Sequence, residues 1–478
     1  MSTPLWTLAE IVTATGAVLD APPAARGEDI TGISIDTRTI DRGDLFVALK
    51  DVRDGHDFVG FAFEKHAAAA LVRRGYVRQL GDRLLLRVDD PLKALEKLGI
   101  AARARLSPDA RVIAVTGSAG KTTTKEMLRA CLSAIAPGQT HASEKSYNNH
   151  WGVPLTLARM PADTRYAIFE IGMNHAGEIT PLSRMVRPHV AIITTVAAVH
   201  LEHFASVEDI ARAKAEIFEG LENVGTAILP ADNPYLGILD EALRPGSGSL
   251  TFGIANAADI QLSSSVTGLG TAIVARRDGS LVSYTLGMRG EHNISNSLAV
   301  LAALDSIGLD GAKAVAPLAR FTAPPGRGAL IPLAIEGHQA LLIDESYNAN
   351  PASTRAALSV VGLTDRSTFS RRIAVLGDML ELGASSAQLH KELATAVVAA
   401  EVDIVLACGP MMKHLFDAIP PAIQAKSLWK PTASELAERL LAAVRGGDVV
   451  MIKGSNGMRL SILVEALKKR HTPVEPLG

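Results

Sequence analysis

At 478 residues the chain is too long for one hydrophobic core, so two to four domains are expected. With 47% hydrophobic and 21% charged residues it reads as an ordinary globular protein, and 40 glycines suit many α/β turns. A net charge of −2 excludes a strong electrostatic footprint for nucleic acid or an anionic membrane. Cys131 and Cys408 lie in apolar surroundings without metal-type spacing, as expected of buried thiols in a reducing compartment. Residues 1–20 have no basic start and carry Glu10, which reads against a secretory signal. The longest apolar run, 190–199, is half a membrane span. A cytoplasmic protein is expected, with no nucleic-acid partner and no membrane insertion.

Residues 1–88 hold short strand-like pieces at 32–36, 44–49 and 84–88. A helix over 91–105 leads to Ser107-Pro-Asp, a hinge. Next comes Val112-Ile-Ala-Val-Thr-Gly-Ser-Ala-Gly-Lys-Thr-Thr-Thr124, an apolar strand, a Gly-X-X-Gly-Lys-Thr loop and the start of a helix to 135. Backbone N–H groups of Gly117, Ser118, Ala119, Gly120 and Lys121 can cradle phosphates there, helped by the helix dipole and the first-turn residues Thr122 and Thr123. Lys121 would neutralise the β/γ-phosphates and the Thr122 hydroxyl would sit on magnesium. Val115 stands where the eight-residue form of this motif has its first glycine, so the loop is a shortened variant.

Strands at 166–171, 191–196 and 226–229, with a helix over 207–221, continue a βα alternation that predicts a parallel sheet. Glu170 at a strand tip faces the ligand crevice of such a sheet. His200 and His203 follow the next strand, and either suits a second metal or a phosphate. Lys214 reads from periodicity alone as a solvated helix lysine. Two-residue alternation around Arg277-Asp-Gly-Ser280 predicts a hairpin, followed by a helix over 295–304. Thr322-Ala-Pro-Pro-Gly-Arg-Gly328 is a rigid joint, from which Arg327 would reach a phosphate on domain closure. The last region alternates again: strands at 340–343, 372–376, 403–407 and 448–452, helices over 353–361, 387–400, 433–445 and 457–469. No G-x-G-x-x-G opens it, so NAD is not inferred. Asp344-Glu-Ser-Tyr-Asn-Ala-Asn-Pro351 reads either as a polar ligand surface or as a turn.

Together these pieces resemble the Mur ligase family, ATP-dependent amide-forming enzymes of peptidoglycan synthesis, over nearly the whole chain. Ser34-Ile-Asp-Thr-Arg38, Gly43-Asp-Leu-Phe-Val-Ala-Leu49 and Asp54-Gly-His-Asp-Phe58 are similar to the family's UDP-sugar-binding domain. Tyr147-Asn-Asn-His-Trp-Gly-Val-Pro154, Glu170-Ile-Gly-Met-Asn-His175 and Gly290-Glu-His-Asn-Ile-Ser-Asn296 resemble central-domain motifs, and Leu376-Gly-Asp-Met-Leu-Glu-Leu-Gly383 a C-terminal one. The resemblance implies an α/β protein of three domains. A small mixed UDP-sugar-binding domain (1–88) precedes a central P-loop ATP-binding parallel-sheet domain (89–323) and a Rossmann-like ligase domain (324–478).

It also implies ATP and two magnesium ions, one on Thr122 and Glu170. The second would lie on His200 and on Lys214, carbamylated in this family to a carboxylate-like ligand. Asn293 and Asn296 would lie on the adenine side of ATP, with Arg327 and Asp344 nearer phosphates and ribose. Lys121, Lys214, His200 and Arg327 are the implied catalytic set. Ser34, Asp36, Arg38, Asn148, Asn149, Tyr347, Asn348 and Asn350 are the implied substrate contacts, and Lys453 matches a family lysine segment. The only Asp-Asn-Pro, at 232–234, is followed by Tyr235 and lies centrally, which separates the chain from the member that adds the third amino acid. The implied partners are UDP-MurNAc-tripeptide and D-alanyl-D-alanine, acted on by a monomer. His150 and Trp151 depart from the usual Asn-Asn signature.

Overall fold

The computed structural model describes residues 4–21, 29–144, 146–268 and 270–474, and contains three sheets. Residues 1–3 of the segment read against a secretory signal lie outside them. The first sheet holds β1 (Val18–Asp20), β2 (Gly32–Ser34), β3 (Asp44–Val47), β4 (Ala69–Arg73) and β5 (Leu84–Val88), in the order β1-β5-β4-β3-β2 with only β1 antiparallel.

The central sheet has nine strands: β6 (Arg111–Thr116), β7 (Thr140–Ala142), β8 (Tyr166–Glu170), β9 (Val190–Ile193), β10 (Thr226–Pro230), β11 (Gly248–Gly253), β12 (Ile260–Thr267), β13 (Thr271–Arg277) and β14 (Ser280–Leu286). Their order is β14-β13-β12-β11-β10-β9-β6-β8-β7. The strands from β7 to β12 run parallel, and the expected hairpin turns between β13 and β14. The chain leaves β6 toward β8 on one side and β9 on the other, so a crevice opens beyond their C-terminal ends.

The third sheet is β15 (Ala329–Ile335), β16 (His338–Glu345), β17 (Arg371–Gly377), β18 (Ile404–Cys408), β19 (Leu428–Lys430) and β20 (Asp448–Lys453), ordered β15-β16-β20-β17-β18-β19. Only β15 is antiparallel. The sequence analysis gives no strand at β15. Pro332 is tolerated there because β15 is an edge strand, where a missing ladder N–H costs little.

Three helices differ from expectation; the one expected over 457–469 begins only at Ser461, after a 3-10 turn at Asn456–Met458. The helix expected over 295–304 spans Glu291–Ser306, because Gly290, at φ +96°, lets the chain enter it four residues early. The helix expected over 207–221 is α-helical only for Val207–Ala215 and tightens to a 3-10 turn over Glu216–Gly220. There the chain presses on its neighbour: a Cβ on Gly220 would lie 2.0 Å from the Ser183 carbonyl oxygen.

The cores explain which parts are packed together. One apolar cluster runs from Trp6, Ile33 and Leu45 through the linker helix (Leu95, Leu98) into the central sheet at Val112 and Phe169. The Trp6 indole donates to the Ala158 carbonyl at 2.7 Å, and the Arg105 guanidinium lies 3.6 Å from the Trp6 ring centroid. The clusters on the two faces of the third sheet hold only residues of that last region. Each fully buried aliphatic side chain contributes about 1.5–3 kcal/mol, and a polar contact only about 1 kcal/mol net. The first two units therefore share one core, whereas the third is packed on a core of its own. Both cysteines are buried free thiols. Among the described residues no helix is long and apolar enough to cross a membrane.

His189 predicts how this body responds to acid. Its Nδ1 accepts the Val112 N–H at 2.9 Å, which requires a neutral ring. Burial first, then Arg103 and Arg111, push its pKa down to about 4. Between about 6.5 and 4 the unfolded chain therefore binds the extra proton, and the stability present above that window is lost as pH falls through it. Thermal melts should show a lower midpoint at pH 4.5 than at pH 6.5. His189→Asn, whose amide oxygen can accept the same N–H without titrating, should flatten that slope; an unchanged slope would remove His189 as a cause.

Candidate active site

The crevice is a cavity of about 1160 Å³ that the central and third units enclose together. At its floor β6 ends at Thr116 and the loop from Gly117 turns into the helix Lys121–Ile135. Gly117 at φ +149° and Gly120 at φ +84° hold backbone that side-chain-bearing residues rarely adopt. A Cβ on Gly117 would lie 1.9 Å from Thr194 Oγ1, and one on Gly120 2.6 Å from Asn296 Oδ1. The loop is pinned from behind: Thr194 Oγ1 donates to the Ala119 carbonyl (2.5 Å), and Ser118 Oγ accepts from the Ala197 N–H (2.9 Å). Lys121 Nζ lies across the loop and donates to the Gly117 carbonyl at 2.7 Å. Burial lowers the Lys121 pKa, Glu170 opposes the shift and Arg327 adds to it.

Glu170 ends β8 and is 1% exposed. One oxygen accepts from Thr122 Oγ1 at 2.6 Å, the other from Asn148 Nδ2 at 2.7 Å. A hydroxyl and a carboxylate fixed this closely at a helix start are hard oxygen donors of the kind magnesium takes, so this pair fits the implied ion. Among the described residues no group of three His, Cys, Asp or Glu forms a metal cluster.

His200 lines the cavity with its backbone at φ +54°, and its Nδ1 lies 2.6 Å from Glu381 Oε2 of the third unit. Burial lowers the His200 pKa; Glu381 opposes the shift, and Lys121 and Lys214 reinforce it. His203 turns elsewhere, its ring 4.3 Å from that of His175. Lys214 is not the solvated lysine that periodicity suggests: it is 2% exposed, and burial and then the Lys121 charge push its pKa well below the usual lysine range. Among the described residues its side-chain nitrogen has no hydrogen-bond or ion-pair partner.

From the third unit, Arg327 donates to Ser146 Oγ at 2.9 Å and stacks over the Tyr347 ring at 4.0 Å. Asn350 caps the helix Pro351–Gly362 through Ser353 and reaches the Ser118 carbonyl of the phosphate loop at 3.3 Å. Asn348 and Tyr347 line the cavity, as do Asn293 and Asn296, three residues apart on the first turns of their helix. Lys453 donates to Glu345 (3.1 Å) and the Asn348 carbonyl (3.0 Å), holding that loop in place.

Asp344, expected near phosphates or ribose, is 6% exposed and does not line the cavity. Its carboxylate accepts from the Gly326 and Ser346 N–H groups and from Ser346 Oγ, so it ties the hinge loop to β16 instead. Ser34, Asp36 and Arg38 also lie outside the cavity lining. Asp36 pairs with Arg38 at 2.6 Å, and Ser34 Oγ contacts the Asp36 carbonyl. Arg159 of the central unit donates to the adjacent Ile33 carbonyl at 2.6 Å, which fixes this loop beside the crevice unit. Asn149 accepts from the Gly152 N–H and starts the helix Gly152–Ala158.

Three participants were not singled out in the sequence. Glu381 lies inside the quoted 376–383 motif and Glu345 inside the quoted 344–351 motif, while Ser146 adjoins the quoted Tyr147; only the fold reveals their partners.

Residues 115–304 match the Mur ligase middle domain, and residues 332–456 the Mur ligase, glutamate ligase domain. With the phosphate loop and the two-unit crevice, these matches and the relatives below place the chain: it belongs to the Mur ligase family. Within that family it is similar to the UDP-N-acetylmuramoyl-tripeptide–D-alanyl-D-alanine ligase of Escherichia coli K12, 38% identical over 94% of this chain and 96% of that one. The ligase of the same name from Bacillus subtilis is 34% identical over 92% and 93%. Among solved structures, MurF from Acinetobacter baumannii superposes with a TM-score of 0.83 at 29% identity, covering 97% of this chain and 99% of that one. MurF ligase from Thermotoga maritima in complex with ADP gives 0.75 at 26% identity, covering 92% and 97%.

Proposed function

We propose that this chain is a cytoplasmic ligase that uses ATP to join D-alanyl-D-alanine to UDP-MurNAc-tripeptide, giving the UDP-MurNAc-pentapeptide precursor of peptidoglycan. The carrying observation is the contact of Asn350 with the phosphate loop, beside the Thr122–Glu170–Asn148 chain. It puts the third unit directly over the place where a phosphoryl group would transfer.

A carboxylate is a poor electrophile. In this reading the tripeptide's terminal carboxylate oxygen attacks the γ-phosphorus, the bond to the β-phosphate oxygen breaks, and ADP leaves behind an acyl phosphate. The dipeptide amine then attacks the acyl carbon, loses a proton, and the tetrahedral intermediate expels phosphate. Lys121 and Arg327 offset charge on the transferring group, and the amides from Gly117 to Lys121 orient it. Thr122 and Glu170 would hold magnesium, which supplies further positive charge at the phosphates. Asn293 and Asn296 orient the nucleoside end. Closure of the third unit keeps water from the acyl phosphate.

Lys214 acts in this reading as the carbamate. Burial and the Lys121 charge favour the free-amine form of Lys214, the form whose nitrogen bonds to carbon dioxide and releases a proton. The product turns Lys214 itself into an anion, which the nearby Lys121 charge favours. With His200 it would hold the second magnesium.

Phosphate release from ATP and magnesium tests the reaction. Release should require UDP-MurNAc-tripeptide and D-alanyl-D-alanine together and yield an amide-linked pentapeptide by mass. Release with a single amino acid in place of the dipeptide would overturn the named reaction and leave the nucleotide site standing.

A further inference from the structure

The two backbone segments that meet at the mouth of the crevice are both held in an unusual conformation. His200 at φ +54° and Glu381 at φ +63° are non-glycine residues in the left-handed region, and they face each other across two units 181 residues apart in sequence. Such backbone persists where its surroundings dictate it. Here the surroundings are mutual. Besides the 2.6 Å side-chain contact, the Glu202 N–H donates to the Glu381 carbonyl at 3.3 Å, and the His203 N–H donates to the His200 carbonyl at 2.8 Å. Gly383, at φ +55°, approaches so closely that a Cβ there would lie 3.4 Å from both Glu202 Cα and the Leu201 carbonyl oxygen.

An ionised carboxylate can only accept, so the proton in the His200–Glu381 contact lies on Nδ1. In a neutral ring that leaves Nε2 with its lone pair, and His200 lines the cavity. The ring's free nitrogen is thus selected by a residue of the third unit. We propose that Glu381 is a positioning residue: docking of the third unit brings its carboxylate to His200 Nδ1, fixes the tautomer, and leaves the Nε2 lone pair facing the cavity, where it would take the second magnesium. This rests on the reading of His200 as a site residue given above. It adds that the site is incomplete until the 376–383 loop arrives, so closure assembles the site as well as covering it.

The experiment uses full-length chain labelled with 15N-histidine. The His200 signal is assigned, among 13 histidines, by its loss in His200→Gln. Wild type should show the Nδ1–H tautomer. Glu381→Asn keeps a residue that tolerates the left-handed backbone but shortens the side chain by one carbon. It should shift the ring toward the Nε2–H form and lower kcat by roughly 10–100-fold with KM unchanged, as for the carboxylate partners of ligand histidines. Glu381→Gln, whose amide oxygen still accepts from Nδ1–H, should keep the tautomer and recover most of kcat. An unchanged tautomer in folded Glu381→Asn, or a shifted tautomer with wild-type kcat, overturns the proposal. His200→Ala separates the two readings: full activity there removes His200 from the site, whereas the tautomer still judges Glu381.

Discussion

Replacing Lys121 with alanine is expected to lower kcat by about 10³-fold, the scale seen when one preorganised charge-stabilising donor is removed. The Lys121 ammonium lies against the loop carbonyl of Gly117, and its pKa shift registers both Glu170 and Arg327. No other lysine lies on this loop, so water would replace it, and a mobile dipole stabilises a developing phosphoryl charge poorly. Stability should move the other way. Lys121 is a half-buried cation whose removal also removes its desolvation cost, so the melting temperature should stay unchanged or rise. Steady-state kinetics beside a thermal melt would decide this. Activity within tenfold of wild type would remove Lys121 from the phosphoryl-transfer step.

Lys214→Ala carries the second large effect, a loss of roughly 10²–10³-fold in kcat, with a chemical signature that Lys121→Ala lacks. If the working group is a carbamate, a short carboxylic acid such as formate or acetate can enter the space left by the side chain and restore part of the rate. Lys214→Arg should stay inactive and unrescued, because a guanidinium keeps its proton and does not take up carbon dioxide. Full activity of Lys214→Ala without added acid would sink the carbamate assignment; loss without rescue by any acid would leave Lys214 as a positioning cation.

The sequence carried the phosphate loop because its chemistry is local: a β-run, two glycines and Lys-Thr at a helix start leave little choice of geometry. Glu170 was legible for the same reason, as a carboxylate at the tip of an apolar strand. Lys214 was not. Its helix has the polar periodicity of a surface element, and the burial of Lys214 arises only from the tertiary fold. Asp344 is the converse case. A carboxylate in a strand-end loop looks available, yet the Gly326 and Ser346 groups that consume it are visible only once the hinge is folded. The His200–Glu381 pair lies beyond any local pattern, since neither residue carries a sign of its partner. Several strands in apolar runs were legible, but β4 was not, because the alanine-rich run at 67–72 suits a helix equally well, nor was β15, which carries Pro332 at an edge position that a single chain does not reveal.

The apolar cluster that runs unbroken from Trp6 to the central sheet has a metrical consequence. Two sheets sharing one core keep a constant separation, so a ligand anchored on the first and reacting over the second is gauged for length. A sugar nucleotide seated near Ser34 and Arg38 would bring to the phosphate loop only a stem peptide of the right span. A chain one residue too short would stop before Lys121, and one too long would buckle past it. On this view the rigid pair of units is a ruler, and the third completes the site once the measurement has been met.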